Sequence, residues 1–443
     1  MLTSAQPEGL RQLRDRLLRD DTKSGKANIS TIERIEAYET KNRVPAGVRR
    51  LKRLVSYGLN TIKFRLFNHR DDRLNAALMR AFLQRLRELN LPEPELLNYG
   101  PGLQIFRLSE IRPEVVDDLA NFVGTQSLSE FTAFRIVKQI STLTEGMDFT
   151  FLGPPEVGRE YPVVGLIDTG THPDDSILSP WRVDRANYVV PDEEDFTHGS
   201  FIAGLVAFGR ELNQGDIRFP NIATKFVDVA ALPKKDRFTE DHALAVIEEV
   251  LVKYSAVRVW NLSFGSRIPC KDNVFSDYAA ALDDLQDRYN VMFTLAAGNY
   301  QVPPLRGWPA ESLGETDRIC GPGDSVRGIT VGSLANAAEV GTSRVGEEEP
   351  SPFSRRGPGP AFVPKPELVH YGGNCDSDGR FTGTGLLSLD GQGNLAESIG
   401  TSFSSPIVAG LLATVQSGQR WLRFVGPNLL ELSSNDFLLL SLH

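Results

Sequence analysis

Four stretches of this sequence carry side chains that could work together in nucleophilic catalysis. The stretch Gly400-Thr401-Ser402 leads into a largely apolar run from Ile407 to Val415. This pattern predicts a buried helix that begins close to Ser402, where free backbone N–H groups and the helix dipole favour developing negative charge. A nucleophilic serine needs such a setting, together with a base and an acidic group that orients the base. Alone, the stretch more often indicates an ordinary serine N-cap.

A candidate acid and a candidate base lie earlier in the chain. The apolar run Val163 to Ile167 predicts a strand buried on both faces, and Asp168 follows it directly. Functional groups gather at the carboxyl ends of parallel strands, although an Asp there is more often a turn former or a helix cap. His198 opens a second predicted helix, in which Gly199 permits close approach to neighbouring elements. His172 is the nearest alternative base, but its setting is typical of a polar loop residue.

Two further strand ends carry residues suited to binding a substrate. The stretch Ser263-Phe264-Gly265 follows one predicted strand and could pair with an extended peptide backbone, although a plain strand exit fits it as well. Asn299 follows another predicted strand, and its amide could donate a hydrogen bond to an oxyanion. An isolated Gly-Asn pair more often forms a left-handed turn.

Taken together, these stretches resemble the motifs of the subtilisin family of serine peptidases. The resemblance covers roughly residues 162–416 and rests on four motifs: Asp168-Thr169-Gly170, His198-Gly199-Ser200, Ala297-Gly298-Asn299 and Gly400-Thr401-Ser402. Their order along the chain, with Asp first, His second and Ser last, is the order known for subtilisin. We therefore expect a serine endopeptidase that hydrolyses peptide bonds.

The resemblance also implies a role for each residue. Ser402 is expected to be the nucleophile, His198 the general acid and base, and Asp168 the group that orients His198. Asn299 and the backbone N–H of Ser402 are expected to form the oxyanion hole. The residues expected to bind substrate are those of the pairing strand and of the opposite pocket wall, namely Ser263, Phe264, Gly265, Ala297 and Gly298.

The sequence departs from the family pattern in two places, and a second function competes with the first. Ser200 stands where Thr is commoner, and Ser266-Arg267 replaces a second Gly and brings a cation near the pocket. The competing function is a catalytically silent scaffold that uses the groove only to bind peptides. A G-x-S-x-G nucleophile elbow is absent from the sequence, which excludes the usual α/β-hydrolase. Acid-active relatives with a Glu base are disfavoured because His198 is present.

The elements that must position these residues alternate between strands and helices. Further strands are predicted over 226–232, 257–262, 291–295 and 328–331, with helices over 242–254 and 278–288. This alternation predicts an α/β fold with a largely parallel sheet flanked by helices. The resemblance implies the same subtilisin-like architecture.

The chain is predicted to divide into several parts. Residues 1–58 are charged and helical in pattern, and residues 59–141 predict a small β-α-β-α-β domain whose third strand covers 131–137. Residues 142–160 predict a linker, and residues 161–443 the peptidase domain, with no clear pattern in 424–443. The resemblance implies that the small domain is a prodomain-like or regulatory module whose tail crosses the active site.

Composition limits the remaining classes of function. The net charge of −9 argues against nucleic-acid binding, and no window of 18 apolar residues predicts a membrane span. Cys270, Cys320 and Cys375 form no spaced cluster, so we expect no metal site, and the charged N-terminus is not a signal peptide. We therefore expect a cytoplasmic protein that acts on proteins or peptides without a cofactor. The resemblance allows a structural calcium ion without assigned ligands, and similarity to signal-less bacterial relatives implies a partner ATPase of a defence system.

Overall fold

The protein forms two compact units, which divide between Phe131 and Thr132. The first contains residues 1–98 and 102–131, and the second contains residues 99–101 and 132–443. The computed structural model describes residues 7–19, 22–30, 38–136, 139–144, 149–221, 223–235, 237–310 and 314–417. The predicted tail 424–443 lies outside the described residues.

The first unit packs helices against a four-stranded antiparallel sheet with strand order β2-β3-β1-β4. Phe64 of the sheet stacks on Phe82 of the longest helix, with ring centroids 4.7 Å apart, and both side chains are fully buried. That helix begins where the Asp71 side chain accepts hydrogen bonds from two backbone N–H groups of the first turn. The elements are α1 (Pro7–Arg19), α2 (Lys23–Ser30), α3 (Thr40–Arg43), α4 (Val48–Ser56), β1 (Ile62–Leu66), α5 (Asp72–Glu88), β2 (Glu95–Leu97), β3 (Gln104–Leu108), α6 (Val116–Asn121) and β4 (Thr125–Ser129).

The prediction of a third strand over 131–137 in this unit is wrong. The strand that completes the sheet is β4, which pairs with β1. Residues 132–136 belong to the second unit, where their backbone pairs with Thr239 and Gly265. The apolar pattern of 131–137 does predict an extended segment, but the pattern alone does not identify the strand with which it pairs.

The second unit is an α/β unit built on a seven-stranded parallel sheet with strand order β12-β11-β10-β9-β6-β8-β7. A three-stranded antiparallel sheet, β13-β14-β5, completes it. Its elements are β5 (Ile140–Thr144), β6 (Val163–Asp168), β7 (Arg182–Asn187), α7 (Thr197–Leu212), β8 (Lys225–Ala230), α8 (Glu240–Lys253), β9 (Val259–Leu262), α9 (Asp277–Tyr289), β10 (Met292–Ala296), β11 (Ile329–Leu334), β12 (Leu368–Tyr371), β13 (Leu386–Leu389), β14 (Leu395–Ser398) and α10 (Thr401–Gln416). The predicted α/β fold with a parallel sheet is confirmed.

The strand and helix positions of this unit follow from its apolar runs. Strands such as β6 and β9 are buried along nearly their whole length, because elements cover both faces of the sheet. The start of the predicted linker is wrong, because residues 142–144 belong to β5, which pairs with β14. Phe149 and Leu152, also inside that predicted linker, are buried in the core of the second unit.

The described residues include neither a membrane-spanning helix nor a metal-binding cluster. None of the helices there is both long and apolar enough to cross a membrane. Within the same part of the chain, no group of three or more His, Cys, Asp and Glu side chains is arranged to hold a metal ion. The three cysteines are free thiols.

Candidate active site

Asp168 and His198 meet at the carboxyl edge of the parallel sheet. Asp168 is the last residue of β6, and His198 is the second residue of α7. The His198 Nδ1 atom lies 2.7 Å from the Asp168 Oδ1 atom, and both side chains are about 2% exposed. The Nε2 atom on the other side of the ring has no hydrogen-bond partner among the described residues. The ring is therefore oriented on one side and available on the other.

The loop after β6 holds the start of α7 in place. The backbone N–H of Gly199 donates to the Thr169 Oγ1 atom over 2.9 Å, so the loop accepts one of the free N–H groups at the helix start. A Cβ atom on Gly199 would lie only 2.3 Å from the Gly170 carbonyl oxygen. The close packing of this loop on the helix thus requires glycine next to His198.

Asp228 supports the same loop from behind and was not identified as a candidate from the sequence. It is 2% exposed and accepts hydrogen bonds from the backbone N–H and the Oγ1 of Thr171, the latter over 2.8 Å. Burial raises the pKa of the Asp228 carboxyl, while the Thr171 hydrogen bonds and the nearby Arg185 and Arg182 cations lower it. A carboxylate inside the otherwise apolar core of β8 is the sequence signal that could have identified it.

Ser402 lies at the second position of α10 and is 3% exposed. Its Oγ atom donates to the Ser263 carbonyl oxygen over 3.0 Å and makes no hydrogen bond with His198. The residue that follows Ser402, Phe403, contacts the candidate base, since its ring lies 5.5 Å from the His198 ring, centroid to centroid. A change of the Ser402 side-chain rotamer would release the hydroxyl from Ser263.

A buried polar network fixes the start of α10 against the end of β9. The Asn261 side chain donates to the Ser263 Oγ atom over 2.8 Å and accepts from the Ser405 hydroxyl over 2.7 Å. The Ser263 hydroxyl in turn donates to the Ser402 carbonyl oxygen over 2.7 Å. Asn261 and Ser405 stand beside predicted site residues in the sequence, but their part in holding Ser402 appears only in the structure.

Asn299 is tied to the same helix start by one half of its amide. Its Oδ1 atom accepts from the backbone N–H of Thr401 over 3.0 Å and from the Thr401 hydroxyl over 3.2 Å. Because those bonds use the carbonyl oxygen, the NH₂ group remains for another acceptor, and Asn299 lines the open cleft. Its neighbour Gly298 has φ of +97°, and a Cβ there would lie 2.9 Å from the Arg355 side chain. Ala297, the other predicted wall residue, is fully buried.

The predicted substrate strand is paired with a segment of this chain. Arg135 and Gly265 exchange backbone hydrogen bonds of 3.0 and 3.1 Å. On the other edge of the segment, the backbone N–H of Phe134 donates to the Phe238 carbonyl oxygen over 2.9 Å. Residues 132–136, which we call the cleft segment, therefore make isolated antiparallel bridges on both sides, to Thr239 and to Gly265.

The Phe134 side chain anchors the cleft segment in an aromatic pocket. It is 5% exposed, and its ring centroid lies 4.6 Å from that of Tyr278 and 5.3 Å from that of Phe264. Phe264, predicted as a substrate-binding residue, is itself 1% exposed and forms a wall of this pocket. The remaining cleft has a volume of about 740 Å³ and is lined by Thr169, Asn299 and Arg267, among others.

Comparison with known proteins agrees with the architecture. The family described as "Subtilase family" matches residues 160–429. An uncharacterized protein, y4bN of Sinorhizobium fredii (strain NBRC 101917 / NGR234), is 30% identical over 202 residues, which are 39% of this chain and 45% of that protein. The matched region thus spans less than half the length of this relative.

Two solved structures resemble the chain at low sequence identity. The epidermin leader peptide processing serine protease of Staphylococcus aureus is 16% identical with a TM-score of 0.47, covering 80% of this chain and 87% of that one. A psychrophilic protease is 21% identical with a TM-score of 0.41, covering 58% of this chain and 77% of that one.

Proposed function

Because this chain belongs to the subtilase family of serine peptidases, we propose that it is an active endopeptidase. The observation that supports this proposal most directly is the 2.7 Å hydrogen bond between His198 and Asp168, with the His198 Nε2 atom left without a partner. A base needs this arrangement, because the acid fixes the ring and its tautomer while the other nitrogen receives a proton.

The proposed reaction begins when the Ser402 hydroxyl turns from Ser263 toward His198. The Nε2 atom accepts the proton as Ser402 Oγ attacks the scissile carbonyl carbon, and Asp168 stabilises the resulting imidazolium. The negative oxygen of the tetrahedral intermediate accepts hydrogen bonds from the Asn299 NH₂ group and the backbone N–H of Ser402. His198 then gives its proton to the leaving amine, and water hydrolyses the acyl-enzyme by the same steps.

Replacing Ser402 or His198 tests this proposal. We expect Ser402→Ala and His198→Ala each to abolish peptide hydrolysis with the fold intact; for subtilisin itself the known loss in kcat is about 10⁶-fold. Ser417→Ala, at the far end of α10, is the matched control and should retain full turnover. Purified Ser402→Ala with more than a few per cent of the original turnover would contradict the assignment.

A catalytically silent peptide-binding scaffold is the second candidate. One observation favours it: the Ser402 hydroxyl donates to the Ser263 carbonyl oxygen instead of to His198. A fluorophosphonate probe separates the two functions, because it reacts only with a serine that a neighbouring base has activated. Labelling that is lost in Ser402→Ala supports the peptidase, and folded protein that is not labelled supports the scaffold.

We further propose that the cleft segment restrains the peptidase from within the chain. Backbone hydrogen bonds on both edges and the buried Phe134 ring hold the segment where a substrate would pair. A tethered segment acts at an effective concentration in the millimolar range, so modest contacts are enough to compete with substrate. The proposed restraint thus lies in residues 132–136, ahead of the linker for which the sequence predicted it.

The register of the cleft segment also predicts where the chain would cut itself. The segment runs antiparallel to 263–265, so its course from Arg135 leads toward the Ser263 end of that strand and hence toward Ser402. We expect any self-cleavage to fall within residues 136–139, which mass spectrometry of the purified protein and of Ser402→Ala would detect. A cytoplasmic location, a partner ATPase and independence of cofactors stay predictions from the sequence.

A further inference from the structure

The cleft beside the candidate active site carries an excess of positive charge. Its lining includes four cationic side chains outside the cleft segment: Lys234, Lys235, Arg237 and Arg267. Two carboxylates, Asp195 and Asp378, line the same space. The chain as a whole has a net charge of −9, so this excess is a local feature of the cleft.

The two carboxylates are fewer than the four cations and offset only part of this excess. Asp378 lies 3.2 Å from the Arg380 guanidinium, and Asp195 accepts a hydrogen bond from the backbone N–H of Thr197. In contrast, Lys235 and Arg267 are exposed, and neither forms an ion pair with any residue that the structure describes. At least two cations therefore line the cleft without an ion-pair partner among the described residues.

The residue of the cleft segment that enters this environment is itself a cation. Ala133 pairs with Thr239 through an isolated antiparallel bridge, and Arg135 and Arg237, each two residues away from that bridge on its own segment, both line the cleft. On its other edge Arg135 pairs with Gly265, two residues before Arg267. Like charges that line the same cleft repel each other. The segment is thus held by its backbone and by Phe134, against its own charge.

We propose that the cleft selects substrates with Asp or Glu at the position that Arg135 occupies, and that such substrates displace the cleft segment. This inference rests on the proposed peptidase function and names its substrate class, an acidic peptide. A carboxylate there replaces a repulsion by attractions to Arg237, Arg267 and Lys235. The positive charge of Arg135 among the cleft cations weakens binding of the cleft segment, so that an acidic substrate can displace it.

The test compares three peptides that carry residues 131–141 of this chain with Arg135→Glu, Arg135→Gln or Arg135→Lys. With the full-length protein at low salt, we expect kcat/KM for the Glu peptide to exceed that for the Lys peptide by about five- to tenfold, because a few exposed ion pairs contribute modestly. The Gln peptide should fall between them. The difference should shrink to about twofold in ~0.5 M NaCl, because salt screens exposed charges.

Variants of the cleft identify the cations that cause the preference for the Glu peptide. Replacing Lys235 and Arg267 together by Gln should remove most of the preference for the Glu peptide. Lys271→Gln is the matched control, since Lys271 is exposed and does not line the cleft. Equal kcat/KM for the three peptides, or a preference for Lys, would overturn the inference while leaving the peptidase function in place.

Two further measurements do not depend on turnover of these peptides. Binding of fluorescent peptides to Ser402→Ala should follow the same order, with Glu tightest, so the charge preference remains testable if the chain does not hydrolyse peptides at all. In the full chain, Arg135→Glu should strengthen self-inhibition and lower turnover of a neutral peptide by about threefold relative to Arg135→Gln. Unchanged or higher turnover of Arg135→Glu would contradict the proposed charge mismatch.

Discussion

At the level of single residues, the oxygen of the Asn299 amide is hydrogen-bonded, whereas no hydrogen bond joins its NH₂ group to a described residue. The oxygen accepts hydrogen bonds from Thr401 and so helps to hold the start of the helix that carries Ser402. The NH₂ group is the half that could meet an oxyanion in the cleft. The structural contribution of this side chain and its proposed catalytic contribution can therefore be separated by substitution.

We predict that Asn299→Ala lowers kcat by about 10²–10³-fold with little change in KM, which is the size known for loss of the oxyanion donor in subtilisin. Asn299→Asp should be at least as slow, because it keeps the oxygen acceptor for Thr401 but loses the donor. Steady-state kinetics of both variants provide the measurement. Recovery of activity in Asn299→Asp would show that Asn299 acts by holding Thr401.

At the level of elements, the contact between the loop after β6 and the start of α7 sets the position of His198. The loop comes within 2.3 Å of the place that a Gly199 Cβ would occupy, and it accepts the Gly199 N–H. Gly209 in the same helix has open space around its Cβ position. The two glycines therefore form a matched pair for testing this contact.

Gly199→Ala should destabilise the fold by about 1–3 kcal/mol, because backbone atoms must move to admit the methyl group. It should also lower turnover, since the shift displaces His198 from Asp168. Gly209→Ala should be neutral or slightly stabilising, by up to about 1 kcal/mol. Urea unfolding and turnover assays test this prediction, and equal behaviour of the two variants would show that the contact does not position His198.

The edge strand β12 contains a buried histidine that makes stability depend on pH. His370 is 2% exposed, its Nδ1 atom accepts the Tyr371 N–H over 2.8 Å, and burial lowers its pKa to about 4. The unfolded chain has the ordinary pKa of 6.5 and so binds a proton more readily than the folded chain does. The free energy of unfolding therefore keeps the full contribution of neutral, buried His370 above about pH 6.5. It loses this contribution progressively as the pH falls toward 4.

We predict that lowering the pH from 7 to 5 decreases the free energy of unfolding of the wild-type protein by about 2 kcal/mol through His370. His370→Gln cannot titrate and should lack this contribution, although it is less stable at pH 7. Urea unfolding of both proteins at the two pH values gives the change in unfolding free energy of each. Subtracting the change in His370→Gln from that in the wild type removes the contributions of the other titrating groups. A difference near zero would contradict the predicted contribution.

At the level of the whole molecule, the boundary between the two units lies directly ahead of the cleft segment. Phe131 is the last residue of the first unit, and Thr132 begins the segment that pairs with the predicted substrate strand. The chain that leaves the first unit therefore enters the groove at once. Under the proposed self-inhibition, this connectivity would link the N-terminal half to the proposed peptidase activity.

Phe134→Ala should raise turnover of a small peptide substrate by about ten- to 150-fold, because the segment loses the burial of one aromatic side chain, about 1.5–3 kcal/mol. Phe151→Ala is the control, since Phe151 is 56% exposed and does not line the cleft. Initial rates of the intact full-length proteins give the comparison, with thermal melting to check the fold. Unchanged or lower turnover with an intact fold would argue against self-inhibition.

The sequence by itself determined the α/β class, the family, and the positions of most strands and helices in the second unit. These features are local, because continuous apolar runs predict buried strands and small-residue motifs mark strand ends and helix starts. The same local signals singled out Asp168, His198 and Ser402, which the sequence separates widely. Their roles stay proposals until the variants are measured.

Only the tertiary structure decided which distant segments pair and where the polar side chains point. Arg135 meets Gly265 across 130 positions, and nothing in either stretch specifies the other, because strand pairing depends on the whole sheet. The structure likewise showed that Asp228 supports the Asp168 loop and that the Ser402 hydroxyl donates to Ser263. Such hydrogen bonds depend on rotamers and on backbone positions that the fold sets, and residue order does not encode them directly.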